Sequence, residues 1–411
     1  MTERNKAMSK KATKLISLLL SVIMLLGIFP MQISAGAANR SDSAVGYPTG
    51  DSDGLILEFS GAGALEVFRT VYGGRMLGGN MLLVDGSYEE AVRYEKMPNI
   101  ESVTYNYTLE AAGIAEDFGT APTDPRISDT YVSAPFLDTL GKMADEAGLS
   151  SLYTVRVAVL DTGIDATHED LVNRVVASYD AINDAAIAKG INSDIGANGR
   201  GTKVAGLIGA EADNGVGFCG MAGKYPLELI PVRVLCEDGK GKIADVVRGI
   251  SWAIDNGADI LNMSFGANMS YYPTALANAI RDAYRQNVFS ICAGGNDTGY
   301  NSSTTYSGFY PADLQDAYPV LAGYYSSANI QSFSYCAKYS DVPGYNYVGH
   351  DGSSLLTTEP GGGYARFTGT SASCAAISGY TAVMFSLLGG RTNPEAITAA
   401  KRMFAYGHGG V

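Results

Sequence analysis

The stretch Val155-Arg-Val-Ala-Val-Leu160, followed at once by Asp161-Thr-Gly-Ile164, is a short β-branched run that ends on an acid and a glycine turn. A run of this length bounded by turn residues reads as a buried strand. Working outward, residues 228–235, 259–265, 288–293 and 320–324 have the same texture, while 202–210, 243–255, 273–285 and 371–388 read as helices. This alternation predicts an α/β fold in three layers, a mainly parallel sheet with helices on both faces. In such sheets the ligand crevice lies beyond the carboxyl ends of the strands. The residues that follow each strand are therefore the ones to inspect for chemistry.

Upstream of that domain the texture differs. Arg4, Lys6, Lys10, Lys11 and Lys14 precede an apolar run over 15–29, and Ala35-Gly36-Ala37 supplies small residues. This pattern predicts a signal peptide over 1–37, removed after Ala37, and hence a secreted protein. The run is shorter than the roughly 20 residues a membrane span needs, and no later segment reads as one. Residues 38–53, rich in Ser, Gly and Asp, read as a linker. Strands over 55–59, 81–84 and 102–105 and a helix over 87–96 with Ser87 as its cap then predict a small α+β unit over 54–107. An irregular stretch with Pro122, Pro125 and Pro135 leads to the main domain, taken as 120–411.

Composition narrows the function classes. A hydrophobic share of 46% with 17% charged residues is globular and argues against disorder. The formal net charge of −13 argues against nucleic acid or an anionic membrane as partner. Five cysteines, at 219, 236, 292, 336 and 374, are odd in number and widely spaced. They suggest neither a disulfide framework nor a zinc site.

At the strand ends stand Asp161, Gly294-Gly295-Asn296 and, opening the last helix, Gly369-Thr370-Ser371. An acid, an amide donor and a helix-start hydroxyl are the parts of an acyl-transfer site. Ser371 would be the nucleophile, and its own N–H with the Asn296 amide would hold a developing oxyanion. Asp161 would orient and charge-stabilise a general base. Taken singly, each has an ordinary explanation as turn acid, left-handed Asn or helix cap. The combination carries the reading.

In this order the blocks resemble the subtilisin-like serine proteases, the subtilases. The resemblance runs through Val157-Ala-Val-Leu-Asp-Thr-Gly-Ile-Asp165 with His168 and Asp170-Leu171, then Gly201-Thr-Lys-Val-Ala-Gly206 and Asn214-Gly-Val-Gly217. It continues through Pro231-Val-Arg-Val-Leu235, Ile260-Leu-Asn-Met-Ser-Phe-Gly266, Ala293-Gly-Gly-Asn296 and Gly369-Thr-Ser371. It implies the chain order acid, base, nucleophile, and it implies that the 54–107 unit is an inhibitory propeptide with a shortened first helix. Peptide or protein substrates would pair as a strand with Gly239-Lys-Gly241-Lys242 and with Ser264-Phe-Gly266. No cofactor is implied for catalysis. Structural calcium is implied at Asp170 and Asn214, with carbonyls of Val216 and Phe218, although turn residues explain these positions nearly as well. The family's closing helix would lie beyond Val411, so the resemblance implies a shortened C-terminal end.

One block breaks the pattern. Where relatives carry His-Gly-Thr-His-Val-Ala-Gly, this chain has Arg200-Gly-Thr-Lys203-Val-Ala-Gly206, so Arg200 stands at the position of the catalytic histidine. A guanidinium keeps its proton throughout the neutral range and cannot take one from serine. Its natural partner is Asp161. The chain's three histidines, His168, His350 and His408, match no base position, and Lys203 should point away from Ser371 by its helical offset. As a second cation it would also disfavour an imidazolium restored at position 200. After Ser371, Ala372-Ser373-Cys374-Ala375 replaces the relatives' Met-Ala-x-Pro. The expectation is an inactive or strongly impaired pseudoprotease that still binds peptides. An endopeptidase with a non-standard base, Lys203 or another histidine, and a decaying gene product remain the alternatives.

Overall fold

The strand over Val155–Asp161 sends Val155, Val157 and Val159 into one core and Ala158 and Leu160 into another, the period-two alternation of a sheet covered on both faces. The computed structural model describes residues 54–106, 108–111, 114–116, 152–296, 308–326, 329–332 and 347–405. The leader over 1–37, the linker over 38–53, Cys336, His408 and the C-terminal end lie outside the described residues.

The small unit contains β1 (Leu55–Phe59), α1 (Ala62–Tyr72), β2 (Arg75–Gly78), β3 (Met81–Val84), α2 (Tyr88–Tyr94) and β4 (Ile100–Tyr105). Two short strands, β5 (Thr108–Ala111) and β6 (Ile114–Glu116), follow. The main domain opens with β7 (Val155–Asp161), β8 (Ser178–Asp180), β9 (Ala185–Ile187), α3 (Arg200–Gly209), β10 (Leu227–Arg233), β11 (Lys240–Lys242) and α4 (Ile243–Asp255). Then come β12 (Ile260–Met263), β13 (Phe265–Met269), α5 (Thr274–Arg285), β14 (Phe289–Ala293), β15 (Gly308–Tyr310), β16 (Tyr318–Ser326) and β17 (Asn329–Ser332). It closes with β18 (Val348–Asp351), β19 (Leu355–Glu359), β20 (Gly363–Thr368), α6 (Thr370–Leu388) and α7 (Pro394–Ala405).

Nine strands form the central sheet in the order β17-β16-β14-β12-β7-β10-β8-β9, with β18 also on β16. The inner pairs are parallel, and β9 and β17 close the edges antiparallel. Helices α3, α6 and α7 cover one face, and α4 and α5 the other. This is the predicted three-layer α/β arrangement. Helix α6 is buried along its whole length, which is why its sequence is apolar all round and long enough to pass for a membrane span.

The small unit folds as β2-β3-β1-β4 with its own core around Leu55, Leu57, Phe68 and Leu82. Its other face merges with the main domain, since Ile56, Leu77 and Met81 share a core with α4 and α5. Neither α4 nor α5 carries a side-chain cap of its own. The small unit supplies both: Asn106 Oδ1 accepts from Ala244 N at 2.8 Å, and Thr104 Oγ1 accepts from Ala275 N at 3.0 Å.

Three sequence expectations change. Helix α1 was not read from the residues themselves, because Gly61 and Gly63 at its start mask the apolar spacing of Leu65 and Phe68; only the resemblance implied a first helix, in shortened form. The strand expected over 259–265 is two strands in different sheets, broken at Ser264. The stretch beyond Tyr107, read as irregular, holds β5 and β6, whose partners are 129 or more positions distant and leave no local mark.

Candidate active site

Site geometry begins where β7 hands over to the Asp161-Thr162-Gly163 turn and α3 packs against it. A Cβ on Gly201 would lie 1.9 Å from the Gly163 carbonyl oxygen, so only glycine allows this approach. Gly201 N donates to Thr162 Oγ1 at 3.1 Å, and Thr162 Oγ1 donates to Asp194 Oδ1 at 2.7 Å. Asp194 Oδ2 in turn accepts from Thr202 N at 2.9 Å and Thr202 Oγ1 at 2.6 Å. Gly199 caps α3 without a side chain, so Asp194 and Thr162 satisfy its first amides. Sequence reasoning missed Asp194, which belongs to no motif, and quoted Thr162 only as part of the turn after Asp161.

This docking aims Arg200 at the acid. Arg200 Nη1 donates to Asp161 Oδ2 at 2.5 Å, with both side chains buried. Complete burial pushes the Asp161 carboxyl up, and the guanidinium and the Thr162 N–H oppose that push. Arg200 Nη2 donates to Ser371 Oγ at 2.7 Å and also to the Ser264 carbonyl. The Ser371 hydroxyl donates to that same Ser264 oxygen at 2.8 Å. A cation thus occupies the space between acid and hydroxyl, and the hydroxyl proton already has an acceptor.

Asn296, the expected oxyanion donor, meets the start of α6. Asn296 Oδ1 accepts from Thr370 N at 2.9 Å and Thr370 Oγ1 at 3.0 Å, which turns its amide group away from those partners. A buried polar ladder fixes α6 on β12. Asn262 donates to Ser264 Oγ at 3.0 Å and accepts from Ser378 Oγ at 2.9 Å, and the Cys374 thiol lies 3.4 Å from Asn262 Oδ1. Burial pushes the Cys374 thiol up to about 12, so it is a packed neutral group rather than a nucleophile. All four described cysteines are free.

The alternative bases are placed as follows. Lys203 is buried and its Nζ lies 3.0 Å from Glu359 Oε1 of β19, so its helical offset does carry it to another partner. His168 is committed at both nitrogens, Nε2 to the Gly363 carbonyl at 2.8 Å and Nδ1 to the Asp170 N–H at 3.1 Å. His350 directs Nδ1 to the Asp351 carbonyl at 2.6 Å, and burial holds its imidazole below the ordinary range.

The implied calcium ligands also meet, but as hydrogen-bond partners. Asn214 Nδ2 donates to Asp170 Oδ1 at 2.8 Å, Phe218 N to Asp170 Oδ2 at 3.3 Å, and Val216 N to Asn214 Oδ1 at 3.0 Å. Donors therefore take the oxygens a cation would need, and the carboxyl of Asp170 is pushed up by burial. Among the described residues no group of three or more His, Cys, Asp and Glu is set for a metal. As folded, these residues do not fit calcium.

Of the residues expected to line the substrate groove, Gly241 lies on β11 and Gly266 on β13, the two strands that flank β5, while Gly239 and Ser264 directly precede those strands. Strands β11 and β13 belong to one sheet, ordered β11-β5-β13-β15.

Comparison with known proteins completes the picture. The family model described as "Subtilase family" matches residues 153–405, well over half of the chain. The chain belongs to the subtilase family. Among curated subtilases, it is 29% identical to the thermophilic serine proteinase of Bacillus sp. (strain AK1) over 317 residues, 77% of this chain and 70% of the relative. It is 34% identical to the major intracellular serine protease of Bacillus subtilis (strain 168) over 235 residues, 56% of this chain and 68% of the relative. The fold is similar to that of fervidolysin from Fervidobacterium pennivorans, a keratinolytic enzyme related to subtilisin, with a TM-score of 0.63 and 21% identity. That match covers 87% of this chain and 58% of fervidolysin.

Proposed function

We propose that this subtilase is a pseudoprotease, catalytically inactive or strongly impaired as a serine endopeptidase. The observation that carries the reading is the Arg200 guanidinium donating at once to Asp161 and to Ser371. Attack on a peptide carbonyl requires a lone pair on Ser371 Oγ and a base for its proton. Here a cation engages the lone pair, and the only base position is held by a group that cannot accept a proton. Loss of the base from a subtilisin-type site costs about 10⁶ in turnover, leaving about 10³–10⁴ over water from the oxyanion donors and binding. Asn296 and Ser371 remain, so a trace of hydrolysis is consistent with the reading. The N-terminal basic and apolar pattern supports export, and the 54–106 fold supports a propeptide-like role for the small unit. The sequence likeness to peptide-hydrolysing relatives supports a peptide as the natural ligand of the groove.

The test uses the purified chain, a fluorophosphonate probe and a peptide ester. The unaltered chain is expected to label at least about 10³ times more slowly than Arg200→His. Prompt labelling of the unaltered chain, abolished by Ser371→Ala, would overturn the reading.

A further inference from the structure

Between β13 and the turn after β14 lies an aromatic ring with glycine on both sides. Phe309, in the middle of β15, stands opposite Asn268 of β13. Its N–H donates to Asp313 Oδ2 at 2.6 Å, and its carbonyl accepts from Asp313 N at 2.9 Å. Those bonds hold the backbone while the ring reaches Gly266 and Gly295. A Cβ on Gly266 would lie 2.6 Å from Phe309 Cζ, and one on Gly295 would lie 3.1 Å from the same atom. Gly295 also has φ 93°, a conformation that glycine favours. The ring tip therefore fills a slot whose two walls are bare backbone. Both walls belong to the Ser371 corner. Gly266 is two residues beyond Ser264, whose carbonyl accepts the Ser371 hydroxyl, and Gly295 directly precedes Asn296, which meets the start of α6. Phe309 differs from the core rings as well. Phe265, Phe289, Phe367, Phe385 and Phe404 are fully buried, whereas Phe309 is half-buried and packs against both main cores.

A peptide that pairs as a strand beside Ser264-Phe265-Gly266 sends alternate side chains to opposite faces. On the face toward Gly295, the glycine walls leave room for one flat group, and Phe309 already takes it. We propose that Phe309 is the specificity-determining residue of this groove: its ring plugs the slot beside Ser371, so a bound peptide can place only a glycine- or alanine-sized residue there. This rests on the peptide-binding reading of the preceding section and names the ligand class within it. An aromatic or long aliphatic side chain would have to displace a ring clamped between two backbones. Removing the ring reverses the preference. Burying a Phe-sized group is worth about 10- to 100-fold in binding, which sets the gain expected for an aromatic ligand.

Selectivity is the readout, since a loss of packing alone would lower all rates together. In an Arg200→His background, the p-nitrophenyl esters of N-acetyl-alanine and N-acetyl-phenylalanine each present one side chain to the slot. The Arg200→His chain is expected to favour the alanine ester. Adding Phe309→Ala should raise the phenylalanine-to-alanine ratio of kcat/KM by about 10- to 100-fold. Phe309→Val, which keeps more of the packing, should move the ratio the same way by less, and it decides the matter should Phe309→Ala not fold. A second arm needs no chemistry. Indole, followed by saturation-transfer NMR, should bind the full-length Phe309→Ala or Phe309→Val chain and leave the unaltered chain unbound. An unchanged ester ratio, or no gain in indole binding by a folded variant, would overturn the proposal. Absence of hydrolysis in the Arg200→His chain would count against the restored base, and indole binding would then decide the slot alone. Prompt fluorophosphonate labelling of the unaltered chain would instead overturn the pseudoprotease reading and leave the slot untouched, so the two failures are told apart.

Discussion

Through Nη1 to Asp161 and Nη2 to Ser264 and Ser371, one guanidinium ties the end of β7, the β12–β13 junction and the start of α6. Arg200→Ala would leave the Asp161 carboxylate buried without its counter-charge. Such losses cost about 3–5 kcal/mol, so urea unfolding should show a shift of that size, largely relieved when Asp161→Asn is added. Replacement by histidine is a different experiment. With Glu359 at its Nζ, Lys203 is neutralised and directed away from the acid–serine line, which removes the expectation that its charge would spoil a restored imidazole. Arg200→His alone should restore measurable peptide-ester hydrolysis, and adding Lys203→His should change the rate by less than about threefold, since the Lys203 charge is already paired with Glu359. A tenfold gain from the second change would show that Lys203 still acts at the site. His350 gives a pH prediction. Burial lowers its proton affinity below the ordinary value of 6.5, with Asp351 opposing. As pH falls through 6.5 the unfolded chain binds the proton first, so stability is full above that value and is lost below it. Urea midpoints measured at about pH 7.5 and about pH 5.5 should differ, and His350→Gln should reduce the difference.

Helix α3 owes its position to β19. Thr357 Oγ1 donates to the Lys203 carbonyl at 2.5 Å and Thr358 Oγ1 to the Thr202 carbonyl at 2.8 Å. Between them, a Cβ on Gly206 would lie 2.3 Å from Thr358 Oγ1, 2.6 Å from Thr357 Oγ1 and 2.8 Å from Thr358 N. Gly206→Ala should therefore force α3 off β19 and cost about 1–3 kcal/mol, with circular dichroism melts reporting the loss. Because Arg200 opens the same helix, the same variant should also weaken the Arg200–Ser371 contact. At this scale the sequence was legible where burial was two-sided. The helix over 243–255 is found at those bounds because its apolar stripe is long and the turn at Asn256-Gly257 ends it. Strands β19 and β20 were missed, since Thr357 and Thr358 bond to a helix rather than follow a strand pattern of apolar residues.

Across the whole molecule, the small unit is bolted to the main domain by shared core and borrowed caps. Arg75 of β2 adds a 2.7 Å ion pair to Asp245 in the first turn of α4 and donates to the Ile182 carbonyl at 3.0 Å. Arg248 of the same helix reaches back to the Met76 carbonyl at 3.3 Å. Replacing Thr104 and Asn106 by alanine removes both caps at about 1 kcal/mol each, so the double variant should lose about 2 kcal/mol in thermal or urea unfolding. Hydrogen exchange should place the loosening at the N-termini of α4 and α5 and across β4. A double variant as stable as the parent would mean that water replaces the caps without loss.

Order along the chain was enough for the fold class, the family, and the choice of Asp161, Asn296 and Ser371 as the candidate site residues. Those follow from short patterns, apolar runs and strand-end motifs, that each element carries within itself. Arg200 was equally legible, because it directly precedes the block Gly201 to Gly206, where the resemblance leads one to expect a histidine. How Arg200 is wired into its surroundings came from tertiary contacts alone. The tertiary structure sent Lys203 to Glu359, gave the Ser371 proton to the Ser264 carbonyl, and closed Asp170 and Asn214 on each other instead of leaving them open to a cation. It alone also placed Thr108–Ala111 between β11 and β13. A four-residue strand has no local signal of its own. Its conformation comes from two backbone edges far away in sequence, which meet only when the sheet is built.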